Sequence, residues 1–171
     1  MDSFETLIFL RGVSARYDPQ HPTIHKTRLN RRPKDSPIEF HNVADRWFYS
    51  RFGVLYRSQA LLLTSRKLTA SAYAATPAHV MRILPLSDYR YCWSPNAVDL
   101  LFAATKLKDA SPSEIEDHLT SLGYREDGLA EAHATGHEVM LHCDRYIAIP
   151  VNLVSGKGEE STGASILLDK F

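Results

Sequence analysis

The stretch that decides the fold is Leu7-Ile8-Phe9-Leu10-Arg11-Gly12, close to the start of the chain. Its four consecutive apolar residues predict a buried strand, which we place at residues 6–13. A charged side chain that leaves a buried strand is costly unless it is paired, so we expect Arg11 to meet a carboxylate or a phosphate. Gly12 has no side chain and lets another group approach the backbone closely.

Two further apolar segments each end or begin with a polar group. The first is Ala60-Leu61-Leu62-Leu63-Thr64-Ser65, which leads into a segment of small residues that carries Tyr73. The second is His137-Glu138-Val139-Met140-Leu141. Each segment predicts a strand, so the three segments together offer a guanidinium, a pair of hydroxyls and a carboxylate at strand ends. A helix N-cap is an additional role open to Thr64 or Ser65.

An arginine, a Ser/Thr pair and a glutamate on three separate strands resemble the motifs of the ADP-ribosyltransferase superfamily. The resemblance implies one α+β domain over residues 1–171, in which two small, mainly antiparallel sheets form an NAD cleft and are flanked by helices. The interval between Ser65 and Glu138 is long for a compact transferase, so residues 94–123 are a candidate helical insertion.

The resemblance also implies a role for each residue. Arg11 would grip the phosphates or ribose of NAD, Tyr73 would stack on the nicotinamide ring, and a hydroxyl would orient Glu138. The Glu138 carboxylate would stabilise the positive charge that develops on the ribose. The catalytic assignments are Glu138, Ser65 and Arg11, and the NAD-binding assignments are Arg11, Gly12, Thr64, Ser65, Tyr73, Arg31 and Arg32.

The implied function is NAD-dependent mono-ADP-ribosyl transfer to a macromolecule, with NAD as substrate and no metal. Two positions depart from the family's pattern. Leu63 stands where a third hydroxyl is usual, so either Thr64 or Ser65 can be the orienting residue. Gly136 stands where many protein-modifying members carry Glu or Gln, so the acceptor stays open between protein and nucleic acid. A toxin or effector role, with an inhibitory partner protein, is consistent with this activity.

A basic segment lies between His25 and Lys34. It contains Lys26, Arg28, Arg31, Arg32 and Lys34 without an acidic residue, and prolines flank it. We expect an extended loop in which Arg31 and Arg32 contact a pyrophosphate or a target. A loop that is simply solvated is the alternative.

Composition sets broader limits. The 171 residues carry 20 basic and 20 acidic side chains, so no overall charge indicates a nucleic acid or a membrane as partner. The 2 cysteines are too few for a disulfide framework. No apolar run is long enough to span a bilayer, and the N-terminus does not resemble a signal peptide. We expect a cytoplasmic protein, either in its own cell or delivered into the cytoplasm of a target cell.

The remaining pattern completes an α+β prediction. Helices are predicted at residues 41–52, 68–75, 96–106 and 112–122, the third beginning after Ser94-Pro95 and the last capped by Ser111. Further strands are predicted at residues 59–65, 80–84, 138–143, 146–153 and 164–168, with a loop at 155–163 and a tight turn at Asp144-Arg145.

Three other functions use the same residues. Cys143, between His142 and Asp144, has the residue types of a thiol hydrolase, although neighbours on a strand face opposite ways. His133, His137, His142 and Cys143 are candidate zinc ligands. A non-catalytic binding protein, of immunity, antitoxin or nucleic-acid-binding type, is the third, with Tyr89, Tyr91 and Trp93 beside Arg90 as its contact surface.

Overall fold

Seven short strands and six helices make up the part of the chain that the computed structural model describes, residues 2–152. The strands are β1 (Leu10–Gly12), β2 (Thr23–Lys26), β3 (Leu61–Leu63), β4 (Val80–Pro85), β5 (Tyr89–Trp93), β6 (Val139–Cys143) and β7 (Arg145–Pro150). The helices are α1 (Ile38–Phe52), α2 (Tyr56–Gln59), α3 (Lys67–Ala72), α4 (Leu100–Lys106), α5 (Pro112–Ser121) and α6 (Leu129–Thr135). A 3-10 turn, Pro77–His79, precedes β4.

The strands form two antiparallel sheets, one in the order β1-β4-β7-β2 and one in the order β3-β6-β5. The sheets meet where β1 lies beside the end of β3. There the Leu10 amide donates to the Thr64 carbonyl over 2.7 Å, and the Thr64 amide donates to the Leu10 carbonyl over 3.0 Å. This junction places Arg11, in the middle of β1, close to Thr64, which directly follows β3.

The main core lies between the two sheets, and a second core lies between the three-stranded sheet and the helices. Strand β6 contributes side chains to both cores, because successive side chains of a strand point to opposite faces. Val139 and Leu141 pack into the main core, whereas Met140 packs into the helical core. The helical core includes Trp47 of α1, whose indole N–H donates to the Thr120 hydroxyl of α5 over 3.2 Å. Because both faces of this sheet are buried, β6 is held in place, and so is Glu138, which directly precedes it.

The prediction of a single α+β domain with two small antiparallel sheets and flanking helices is confirmed. Helix α5 has the predicted Ser111 cap, and the cap is reciprocal. The Glu114 amide donates to the Ser111 hydroxyl over 3.3 Å, and the Ser111 amide donates to the Glu114 carboxylate over 2.7 Å.

The predicted start of α4 is wrong. The helix begins at Leu100, and its cap is Asp99, whose carboxylate accepts from the Phe102 amide over 2.9 Å. The Ser94 side chain is engaged elsewhere, because it donates to the Leu122 carbonyl over 2.6 Å. Whether residues 94–123 are an insertion remains a prediction.

Strand pairing also departs from the predictions. Residues 138–143 and 146–153 were expected to flank a tight turn, but the chain changes sheets at Asp144, so β6 pairs with β5 and β7 pairs with β2. β2 lies in the predicted loop. Its inward side chains are Thr23 and His25, while Ile24 is exposed, so its sequence lacks the usual strand signal. Helix α6 was not predicted, and residues 59–65 divide into the end of α2 and β3.

The predicted loop at 155–163 and strand at 164–168 lie outside the described residues. Within residues 2–152, no helix has the length and apolar character needed to cross a membrane.

Candidate functional site

A cavity of about 340 Å³ opens at the junction of the two sheets. Its walls come from β1, the loop after β2, Arg57 of α2, the middle and C-terminal end of α3, and the residues that precede α4 and β6. Seven of the predicted site residues line it: Arg11, Gly12, Arg31, Arg32, Thr64, Tyr73 and Glu138. Ser65 is the predicted site residue that does not. The fold therefore brings together side chains from distant parts of the sequence.

Arg11 extends from β1, where it pairs with Met81 of β4. It is half-buried, and within residues 2–152 its guanidinium makes no hydrogen bond or ion pair. We expected a carboxylate or a phosphate as its partner, and no carboxylate of residues 2–152 pairs with it. Since an arginine fork suits phosphate, this guanidinium gives the cavity an anion-binding group.

Gly12 is required by packing within the fold. A Cβ at this position would lie 2.1 Å from the Ala70 carbonyl oxygen and 2.6 Å from the Ala74 amide nitrogen. The backbone that approaches Gly12 is therefore that of α3 and the turn after it. This close contact brings α3, and Tyr73 at its C-terminal end, against β1. The Tyr73 side chain is 59% exposed at the mouth of the cavity, where its ring can accept a planar ligand.

Thr64 and Ser65 tie the end of β3 to the segment that carries Glu138. The Thr64 hydroxyl donates to the Gly136 carbonyl over 3.0 Å, and the Ser65 hydroxyl donates to the His133 carbonyl over 2.6 Å. Neither caps α3, whose N-cap is Arg66 without a side-chain hydrogen bond. Their hydroxyls hold backbone carbonyls rather than the Glu138 carboxylate, so they position the glutamate through its chain.

Glu138 directly precedes β6, and its side chain is 15% exposed. Its backbone amide donates to the Val98 carbonyl over 2.7 Å, which fixes the residue at the cavity wall. Burial raises the pKa of the Glu138 carboxyl, and the Arg57 guanidinium opposes that rise. Arg57 Nη1 lies 3.5 Å from Glu138 Oε1. The site thus holds the Glu138 carboxyl in a low-dielectric wall, where Arg57 and, more weakly, Arg31 favour its charged form.

Arg57 is the main residue that the sequence interpretation missed. It is 7% exposed, and its Nε is buried without a hydrogen-bond partner among the described residues. Asp45 of α1 holds its backbone, because the Asp45 carboxylate accepts from the amides of Arg57 over 2.7 Å and of Ser58 over 3.2 Å. The Asp45 carboxylate also accepts from the Ser58 hydroxyl, and His41 Nε2 lies 3.6 Å from it.

The i, i+4 spacing of His41 and Asp45 could have identified this network. Both side chains lie on the buried face of α1. A polar pair on the apolar face of a predicted helix requires a polar partner. Burial lowers the pKa of His41, although Asp45 acts in the opposite direction, so the ring is neutral near neutral pH. His41 lines the cavity and can accept or donate a hydrogen bond there.

Arg31 connects the basic segment to Arg57. Its Nε and Nη2 donate to the Arg57 carbonyl over 3.2 and 2.9 Å. Burial, with the nearby Arg57 and Arg11 guanidinium groups, lowers the pKa of Arg31 to about 10. The side chain therefore stays cationic at neutral pH. Arg32 is exposed at the rim of the same cavity.

The candidate zinc ligands are engaged separately. His137 Nδ1 lies 2.9 Å from the Ser94 carbonyl, His142 Nδ1 lies 3.0 Å from the Gln59 carbonyl, and the Cys143 thiol contacts the Thr27 hydroxyl. Across residues 2–152, no group of three or more His, Cys, Asp or Glu side chains is arranged to hold a metal ion. Cys143 is buried, and burial raises the pKa of its thiol, which disfavours the thiolate that a hydrolase needs.

Comparisons of the chain with protein-family models, with curated proteins and with solved structures found no match.

Proposed function

We propose that the protein is an NAD-dependent mono-ADP-ribosyltransferase that modifies a macromolecular acceptor. One observation carries the proposal: Arg11, Thr64, Tyr73 and Glu138, selected from separate segments of the sequence, line a single cavity. The cavity joins a guanidinium that pairs with no side chain of residues 2–152, an exposed aromatic ring and a buried carboxylate. These are the groups needed to hold a pyrophosphate, a nicotinamide ring and a cationic ribose.

The proposed reaction breaks the bond between ribose C1′ and the nicotinamide nitrogen. The bonding electrons leave with nicotinamide, whose ring nitrogen loses its positive charge, so no general acid is needed. Positive charge then accumulates on the ribose, and the Glu138 carboxylate would stabilise it across the cavity wall. Arg11 and Arg31 would hold the pyrophosphate, while the Tyr73 ring would lie against the nicotinamide.

Arg57 would act as a positioning residue in this scheme. It lies behind Glu138 and favours the ionised carboxylate, which burial alone would disfavour. Thr64 and Ser65 would contribute by fixing the segment from His133 to Gly136. The glutamate is therefore supported from two directions, through its charge and through its backbone.

The first experiment measures NAD binding and nicotinamide release by the purified protein. We expect NAD to raise the melting temperature and Arg11→Ala to abolish that shift, because the variant loses the guanidinium that would hold the pyrophosphate. Arg51→Ala is the control, since Arg51 packs over the Trp47 ring away from the cavity. NAD binding without nicotinamide release would favour the non-catalytic binding protein. A melting temperature that does not respond to NAD would contradict the proposal.

A further inference from the structure

A second cavity, of about 420 Å³, lies on the other side of Arg11. Arg11, Gly12 and Arg31 line both cavities, so the two share one wall. The second cavity is otherwise formed by the loop after β1, by β2 with the residues that follow it, and by Tyr146 of β7. A ligand in one cavity would therefore lie next to a ligand in the other.

The second cavity is strongly cationic. Beyond the shared arginines it is lined by Arg16, Lys26 and Arg28, and none of its described lining residues is acidic. These three side chains are exposed, so a ligand can reach them. The chain as a whole has a formal net charge of zero, so this concentration of positive charge is local. A surface of this kind attracts a polyanion.

Hydrogen bonds and ring contacts hold the backbone that carries Lys26 and Arg28. The Tyr17 and Tyr146 hydroxyls share a hydrogen bond of 2.7 Å, and the His25 ring lies 4.3 Å from the Tyr17 ring and 5.5 Å from the Tyr146 ring. β2 pairs with β7 along its whole length, and the Thr27 amide donates to the Asp144 carbonyl over 2.9 Å. Lys26 and Arg28 therefore leave a backbone that is held in place beside aromatic side chains.

The dinucleotide of the proposed reaction does not account for this charge. The NAD pyrophosphate would be matched by Arg11 and Arg31, and within residues 2–152 no carboxylate pairs with Arg16, Lys26 or Arg28. A single phosphate on a protein would also leave most of these cations unmatched. A nucleic-acid strand carries a phosphate at every nucleotide, and a positively charged groove that follows the backbone is a general feature of single-strand binding sites.

We propose that the second cavity binds single-stranded nucleic acid, which serves as the acceptor for ADP-ribose. This inference rests on the proposed function for the transfer step, but strand binding itself does not. In the transfer, a nitrogen or hydroxyl oxygen of the strand forms a bond to ribose C1′ as nicotinamide departs. The nucleophile loses its proton to water, and no oxidant or reductant is involved. The shared Arg11 wall places the strand next to the ribose.

The test is fluorescence anisotropy with labelled single-stranded DNA and RNA of about ten nucleotides, measured without NAD. We expect binding that weakens with salt. The double variant Arg16→Gln/Arg28→Gln should weaken it about tenfold or more and should reduce the log–log salt slope by about 1.4, because each phosphate contact on a single strand contributes about 0.7. Lys106→Gln/Lys108→Gln removes the same charge outside both cavities and should change binding less than about twofold.

Four results would overturn the inference. The first is the absence of strand binding by the unaltered protein, and the second is an equal loss in both double variants, which would show a general charge effect. The third is competition between NAD and the strand, which would make the second cavity part of the dinucleotide site. A phosphoserine peptide that binds in place of the strand would also overturn it. Because nicotinamide release is measured separately, failure here is distinguishable from failure of the proposed transferase.

Discussion

Two arginine–glutamate pairs in this protein have the same chemistry and opposite surroundings. Arg90 Nη2 lies 2.6 and 2.7 Å from the two carboxylate oxygens of Glu126, and the side chains are 46% and 27% exposed. Arg57 Nη1 lies 3.5 Å from Glu138, and the side chains are 8% and 15% exposed. The closer pair lies near the surface and the looser pair lies at the wall of the cavity.

The difference shows that distance alone does not rank ion pairs. Water screens the Arg90–Glu126 pair, so its close geometry contributes little to stability. Burial removes that screening from Arg57 and Glu138, so each depends on the other to avoid an uncompensated charge. The Glu138 carboxylate of the looser pair lines the cavity, which suits a group that must stabilise a transient cation.

Removing the arginine of each pair should separate the two environments most clearly. We expect Arg57→Met to lower the free energy of unfolding at pH 8 by about 3 kcal/mol, because it leaves Glu138 buried and unpaired. Arg90→Met should lower it by less than about 1 kcal/mol. Urea denaturation measures both.

The pH dependence of the free energy of unfolding tests whether the unpaired Glu138 charge causes the loss in Arg57→Met. Burial raises the pKa of folded Glu138 above its unfolded value, so ionisation costs stability as pH rises through the folded pKa. Loss of Arg57 raises this pKa further. The loss of unfolding free energy in Arg57→Met should therefore be smaller at pH 5 than at pH 8. A loss that does not depend on pH would contradict this explanation.

Changing Asp45, whose carboxylate holds the Arg57 backbone, should give the next largest effect. Asp45→Asn leaves the Ser58 hydroxyl and the Arg57 amide with a weaker acceptor, and we expect a loss of about 2 kcal/mol in the free energy of unfolding. Nicotinamide release should slow while NAD affinity is retained, since Asp45 does not line the cavity. Asp117→Asn, on the exposed face of α5, is the control. Equal effects of the two substitutions would contradict a positioning role.

The pH profile of nicotinamide release should distinguish the two pairs without unfolding the protein. Release requires ionised Glu138, and the pKa of this carboxyl is raised. The rate of release should therefore rise with pH, and this rising limb of the profile should lie at higher pH than for an ordinary carboxyl group. Arg57→Met should move this limb to higher pH, because the variant lacks the cation that favours the carboxylate. Arg90→Met should leave the limb in place, and a shift in that variant would show that the pairs are not independent.

We expect the smallest effect from a change at Tyr56, which contacts the Arg90–Glu126 pair. The Tyr56 hydroxyl donates to Glu126, and Tyr56→Phe removes only that hydrogen bond. We expect the free energy of unfolding to fall by about 1 kcal/mol and nicotinamide release to stay within about twofold of the unaltered protein. Thermal unfolding and the release assay measure these quantities. A large loss of activity would place Tyr56 in the function of the cavity.

The sequence predicted features whose causes are local. The Ser111 cap of α5 follows from spacing within one turn, and β4 follows from a mainly apolar segment that only Arg82 interrupts. The positions of Arg11, Thr64 and Glu138 at strand ends were also visible, because each adjoins such a run. Their presence around one cavity depends on the Leu10–Thr64 junction, which no local pattern encodes.

Features that depend on pairing were not predicted. Periodicity does not specify a strand's partner, so the change of sheets at Asp144 resembled a hairpin turn in the sequence. Arg57 was missed for a related reason. A charged residue in a short polar segment looks solvated until tertiary packing buries it, and here α1 and β6 enclose it.

The measurement that tests the central claim most directly is nicotinamide release by Glu138→Gln beside Glu126→Gln. Both substitutions remove one carboxylate charge from an arginine pair and keep the side-chain size. We predict that Glu138→Gln lowers the rate about 10²- to 10³-fold with NAD still bound, because the charge that stabilises the ribose cation is lost. Glu126→Gln should stay within about twofold. Unchanged release by Glu138→Gln would contradict the account.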